Sequence, residues 1–398
     1  MVKKQEIRWI TGVKGCCCIS VVLLHLLACM FPSAQNGGIK YLPITGMYNY
    51  IQLTPINIFF NGSFAVYIFW TLSSFLLTRS YYIHQNAKML VRKDISKFFR
   101  ISSSVIIVSC IGFLLLKCGL YYHLQAGELI ENSFWTNERD YSNFGINGLI
   151  SELIWKDWLV NSIMIPPLWT LRFEFVGSIL VTMLLVTEQG KNKRLLIFLS
   201  VLLLGGGSLA AYICFFSGMF LANIYEKENE KPWGIVFFGI GVIMGAYPPT
   251  GIPVDGMYHY IYKYIISNFN TLTDSVSGVI VWYVISAFLV LFGIMKSKQL
   301  MKMLSNRLFH FLGSISFYIY ICHIPVIWSI GAFSFYILYT NNNDIFLSAL
   351  FCTITSIVVT ILCACLLKKI NDVFLENKIR MVTLGLLKND VESKIINE

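Results

Sequence analysis

Two ionisable side chains, Lys14 and His25, stand eleven residues apart inside the first long apolar stretch of the chain, Ile10 to Phe31. Hydrocarbon tolerates neither without a reason, so the pair marks a functional site. Eleven residues are about three helical turns, roughly 16 Å of rise, which puts both groups on one helix face at different depths. If the helix enters from the cytoplasm near Trp9, Lys14 lies roughly 7 Å deep and His25 roughly 24 Å deep in about 30 Å of hydrocarbon. A cation near one surface and a base near the other is the chemistry this implies.

A carboxylate is the natural partner for the imidazole. The stretch Pro167-Leu168-Trp169-Thr170-Leu171-Arg172-Phe173-Glu174 opens an apolar segment running the other way. Counted from that start, Glu174 lies about 9 Å below the outer boundary, close to the depth of His25. The sequence therefore predicts a His25–Glu174 pair. Lys97 and Arg100 are three apart and share one helix face at the inner surface. With Lys14 and Arg92 they form a cationic cradle suited to a polyphosphate. A donor with a charged head and a long thin thiol-bearing arm would bridge the two sites. His323, just before Pro325, is a further intramembrane imidazole, whose plainer reading is that it fills the carbonyl gap the proline leaves. Arg172 either pairs with Glu174 or faces outer headgroups. His84, His123, His259 and His310 fall in loops or at helix ends and read as solvated.

The elements that must hold these groups are membrane helices. The chain has 398 residues, 56% of them hydrophobic and 13% charged, with apolar runs of bilayer-spanning length. The expected fold is all-α, a polytopic integral membrane protein of about ten transmembrane helices with both termini cytoplasmic. The formal charge of +10 gathers in short interhelical stretches, at Lys88–Arg100, Lys191–Arg194, Lys296–Arg307 and from Lys368 onward. That distribution is a topology signal, and it argues against a nucleic-acid partner. To keep the basic loops on one side, residues 195–225 must cross twice, turning at Gly205-Gly206-Gly207. The loop from Tyr122 to Pro167 carries an apolar stretch, Leu149 to Ile165, that lies in the interface or re-enters the membrane. Most of the eleven cysteines sit in apolar runs and no zinc-like Cys/His spacing occurs, so no metal is expected. Residues 1–370 read as one transmembrane domain and 371–398 as a cytoplasmic tail.

Several motifs, in order, resemble the membrane-bound acyltransferase-3 family. Thr11-Gly12-Val13-Lys14-Gly15 through Leu24-His25 is similar to its first helix, where a basic residue precedes histidine by the same interval. Asn61-Gly62-Ser63-Phe64-Ala65-Val66 leading to Leu72-Ser73-Ser74-Phe75, then Phe99-Arg100-Ile101, Pro167 to Glu174, Phe216-Ser217-Gly218-Met219, and Gly313 to Tyr320 with His323-Ile324-Pro325-Val326, resemble later signatures. The family often has arginine at Lys14 and at Lys97, an acid at Tyr67 and Ser-Gly at Ser73-Ser74. Lysine keeps the charge but loses the bidentate fork.

The resemblance implies an O-acyltransferase in the cell's inner or plasma membrane. It would move an acyl group, commonly acetyl from acetyl-CoA, to a hydroxyl of a carbohydrate or lipid-linked glycan outside the cytoplasm. His25, oriented by Glu174, would act as base, with Lys14, Arg92, Lys97 and Arg100 on the donor phosphates and membrane lipids around the helices. Direct transfer fits better than a Ser or Cys acyl-enzyme, and acyl-histidine stays open. The rival reading is a transporter or exporter of a lipid-linked glycan or small molecule that uses the same buried charges as a relay.

Overall fold

The computed structural model describes residues 7–31, 53–130, 144–156, 164–186, 211–225, 233–249, 256–268 and 277–395, with single positions at 51, 135 and 162. Among them no strand occurs, and the protein is an all-α membrane bundle. Among the described residues six helices are long and apolar enough to cross a bilayer: Arg8–Met30, Lys88–Lys117, Pro166–Val186, Gly278–Lys296, Ser316–Asn342 and Ile345–Val373.

We label the principal helices α1 (Arg8–Met30), α2 (Gly62–His84), α3 (Ala87–Lys117), α4 (Trp169–Val186), α5 (Ile213–Tyr225), α6 (Gly234–Gly245), α7 (Ser277–Lys296), α8 (Ser316–Val326), α9 (Ala332–Asn342) and α10 (Ile345–Ile395). Helices α8 and α9 are one rod interrupted by a π-turn at Ile327–Gly331, just past Pro325. A proline inside a helix removes a backbone donor, and local rewinding is how membrane helices absorb that loss. Ser329 Oγ donates to the Pro325 carbonyl at 2.6 Å and helps close the defect. The first arm expected from residue 195 onward lies outside the described residues.

Helix α1 is central rather than peripheral. It packs on α2 and α8 and on two short helices, Lys298–Leu304 and Arg307–Ser314. The last contact has no room for side chains, since a Cβ on Gly313 would overlap the Thr11 carbonyl. Small residues at helix crossings allow this backbone approach, and here they fix the height of α1 against its neighbours. Two stretches expected as basic loops are therefore helical. Lys88–Arg100 belongs to α3, whose N-cap Asn86 accepts from the Met89 amide, with the turn confined to Gln85 at φ 48°. Its charges and apolar residues alternate at helical spacing, so it continues the membrane helix outward as a partly wet extension.

Helix α6 has 12 residues, about 18 Å, and ends inside the protein. Its terminal carbonyls would be costly if left unpaired in an apolar setting. Side chains take them instead. Ser286 donates to Gly241 O at 2.7 Å, Tyr258 to Ile243 O at 2.9 Å, Trp282 to Met244 O at 2.9 Å and Asn61 to Gly245 O at 2.8 Å. Asn61 also donates to Tyr247 O at 2.8 Å and Tyr283 Oη at 2.9 Å, while its Oδ1 caps α2 at the Phe64 amide. The Asn61-Gly62-Ser63 motif is thus a double cap that ties α2 to α6 and α7.

Candidate functional site

An inner charged cluster lies between α1, α3 and α4. On α4 the residues Glu174, Ser178 and Thr182 recur at i, i+4 and i+8, one stripe on one face. Facing it on α3 are Asp94 and Lys97. Lys97 Nζ pairs with Glu174 and donates to Ser178 Oγ at 2.8 Å and to Ser73 Oγ of α2 at 2.9 Å. Thr182 donates to Asp94 at 2.6 Å. Lys14 comes from α1 into the same field, facing Glu174, Lys97 and Arg100. Arg92, five residues before Lys97 and nearer the start of α3, is half-buried, and Arg100 is exposed. Glu174 therefore neutralises Lys97, and against Asp94 the cations Lys14, Arg92 and Arg100 leave a positive surplus.

His25 lies elsewhere. Eleven residues along α1 from Lys14, it is roughly 16 Å further toward the outer face. Its ring packs against His323 of α8, with centroids 5.1 Å apart and planes at 40°. Tyr320, one turn before His323, lies with its ring centroid 6.0 Å from the imidazole and its hydroxyl 2.8 Å from Thr170 and 2.7 Å from the Pro167 carbonyl. His323 is 0% exposed, and neither ring nitrogen closes a hydrogen bond. The carbonyls of Ile319 and Tyr320 lie against its ring. The carbonyl freed by Pro325 is that of Ile321, so His323 does not fill the proline gap.

The expected His25–Glu174 pair does not form, and α4 explains why. Its start was counted from the outer membrane boundary. Instead the residues just before it are buried in the bundle: Ser162, Met164, Ile165 and Leu168 are each at 0% exposure. Glu152, also buried, accepts from the Ser162 hydroxyl at 2.7 Å. A Cβ at Gly112 of α3 would lie 3.7 Å from Met164 Sδ. Gly112 is five residues, about 7 Å, short of the Lys117 end of α3, so the chain has already descended before α4 begins. Glu174 then sits level with Lys97, about 30 Å below Lys117. The buried lead into α4 carries Glu174 past the imidazoles to the inner cluster, and most of the stretch expected at the interface or re-entering, Leu149 to Ile165, lies outside the described residues.

Arg172 stacks its guanidinium over Phe173, 4.9 Å from the ring centroid, and faces Tyr212. Of the four histidines read as solvated, His84 is exposed, but His123 is buried. Its ring stacks on Trp328 at 5.0 Å and 20°, with Tyr121 edge-on at 5.7 Å. Burial pushes the His123 imidazole down to about 4. Ser73 and Ser178, the neutral partners of Lys97, were missed. The four-residue spacing of Glu174, Ser178 and Thr182 was the signal that could have found Ser178.

Ionisable groups held at two depths of an all-helical bundle define a polytopic membrane protein with an intramembrane polar site. The chain matches the family profile described as an acyltransferase domain over residues 7–366, and it belongs to the acyltransferase-3 family. Comparison with curated proteins and with solved structures gave no match. Several motifs of the resemblance now have physical roles. Asn61 double-caps, Gly313 lets α1 approach, Ser74 donates to the Phe215 carbonyl, and Gly218 admits the Thr71 carbonyl of α2 where a Cβ would overlap it.

Proposed function

We propose that this acyltransferase moves an acetyl group from cytoplasmic acetyl-CoA to a hydroxyl of an extracytoplasmic or lipid-linked carbohydrate, in the cell's plasma or inner membrane. The observation that carries the reading is the separation along α1: a cation-rich cluster at Lys14 and a half-buried imidazole roughly 16 Å beyond it. The donor's phosphates dock on Lys14 and Arg100, with Arg92 alongside, as charge-assisted contacts. Lys97 is held by Glu174, so it shapes the cluster more than it binds phosphate. The thin pantetheine arm runs outward and presents the thioester to His25.

At that point His25 takes the proton from the acceptor hydroxyl as its oxygen attacks the thioester carbonyl. The C–O bond forms, the C–S bond breaks, and the thiolate leaves with the proton His25 had accepted. An acyl ester and free CoA are the products. The apolar surroundings keep water from competing for the acyl group.

Thiol release tests this reading. Purified protein given acetyl-CoA and a surface-glycan extract should liberate free CoA in step with acetyl incorporation into the glycan, and His25→Ala should reduce both by about 100-fold or more. Normal release by a folded His25→Ala protein, or acceptor movement with no thiol released by the wild type, contradicts it.

A further inference from the structure

His323 is an expensive side chain to leave as it is. It is fully buried, and both ring nitrogens lack a hydrogen bond. An unmet polar group in such a place is destabilising, and phenylalanine would fill much the same volume without that cost. Its neighbours give it no charge to answer. The ring is bordered by His25, Tyr320 and the carbonyls of Ile319 and Tyr320, and the tyrosine hydroxyl is already engaged with Pro167 and Thr170. The inner cluster with its carboxylates, Glu174 and Asp94, is more than 10 Å away along the helices.

The geometry points to His323 as the positioning residue of the transferring imidazole, a neutral partner in the place where the sequence suggested a carboxylate. The proposal rests on His25 being the base. A neutral imidazole has one donor and one acceptor nitrogen, and the partner of one fixes the role of the other. The nitrogen nearer the main chain, Nδ1, is the one that can turn its N–H to the carbonyls of Ile319 or Tyr320. That leaves Nε2 of His323 as an acceptor toward His25. His25 then donates its own N–H to His323, directly or through one water, and its remaining nitrogen presents a lone pair to the acceptor hydroxyl. At 5.1 Å between centroids the two rings are within reach of either arrangement. An imidazole sets the tautomer without placing a second formal charge in hydrocarbon, which a carboxylate at this depth would do. Thr170 and Tyr320, bonded to each other and to Pro167, pin the turn of α8 that carries His323 against the start of α4.

Three variants, measured for acetyl transfer and for thermal unfolding in detergent, test the assignment. His323→Phe, which fills much the same volume, should melt close to the wild type, yet lose about 100-fold in kcat with the KM for acetyl-CoA within about twofold. His323→Gln, whose amide oxygen can accept from His25, should recover kcat to within about tenfold of the wild type. His25→Ala should be inactive whatever stands at 323. Transfer by His323→Phe at the wild-type rate, or equal losses in the Phe and Gln variants, overturns the positioning role. An active His25→Ala protein would overturn the function reading itself, so the two failures are told apart.

Discussion

Glu174→Gln tests how the inner cluster is held together. The wild-type Lys97 ammonium has three acceptors, Glu174, Ser73 and Ser178, and the side chains of the ion pair are 21% and 16% exposed. Fully exposed pairs contribute about 0–1 kcal/mol, and breaking fully buried ones costs about 3–5 kcal/mol. A pair this far out of water falls between them, at about 2 kcal/mol. Glutamine keeps an acceptor oxygen but removes the charge, so Lys97 is left with neutral partners and with Lys14 and Arg100 as uncompensated neighbours. Lys97→Met makes the opposite error and leaves Glu174 without its cation. The double variant removes both charges together and should recover about 1–2 kcal/mol of the summed losses, a coupling readable in a double-mutant cycle. Thermal unfolding in detergent is the assay, and each single variant should lower the melting temperature by roughly 2–4 °C. Strictly additive losses, or a Glu174→Gln protein as stable as the wild type, would show that the two side chains are not partners. A partner at His25 would instead couple Glu174→Gln to His25→Ala, and no such coupling is expected.

Asn61→Ala removes the α2 cap and the donors to Gly245, Tyr247 and Tyr283 together; it should cost about 2–3 kcal/mol in the same unfolding assay. His123 makes stability depend on pH. Its folded value of about 4 lies below the ordinary 6.5 or so, hence the folded protein is fully stabilised above pH 6.5 and loses stability as pH falls toward 4. About 2 kcal/mol should be lost by pH 5, and the drop in melting temperature between pH 7 and pH 5 should shrink by that part in His123→Phe.

Much of this was legible in the sequence because membranes impose strong rules. Lys14 and His25 stood out as ionisable groups in an apolar run, and runs of spanning length marked an all-helical membrane protein. The depth of Glu174 was not legible. Pro166-Pro167 after an apolar stretch reads like the outer edge of a membrane span, whereas the fold buries it and lets Tyr320 and Thr170 satisfy the Pro167 carbonyl. A buried irregular segment is allowed only where protein surrounds it, and the chain's own pattern does not say where that is. The His25–His323 contact joins the first helix to a late one, and helical periodicity carries no information on such pairings. His123 looked solvated because it follows a span, and only Trp328, brought over by the turn after Pro325, buries it.

The central claim is a division of labour along α1, with the inner cations holding the donor's phosphates and His25 carrying out transfer. It is tested most directly by comparing acetyl-CoA with acetyl-pantetheine, which keeps the thioester arm but lacks the phosphates. Lys14→Met with Arg100→Gln should raise the KM for acetyl-CoA by about tenfold or more and leave acetyl-pantetheine turnover within about twofold, while His25→Gln should abolish transfer from both. Equal effects of the inner substitutions on the two donors, or transfer surviving in His25→Gln, would contradict the account.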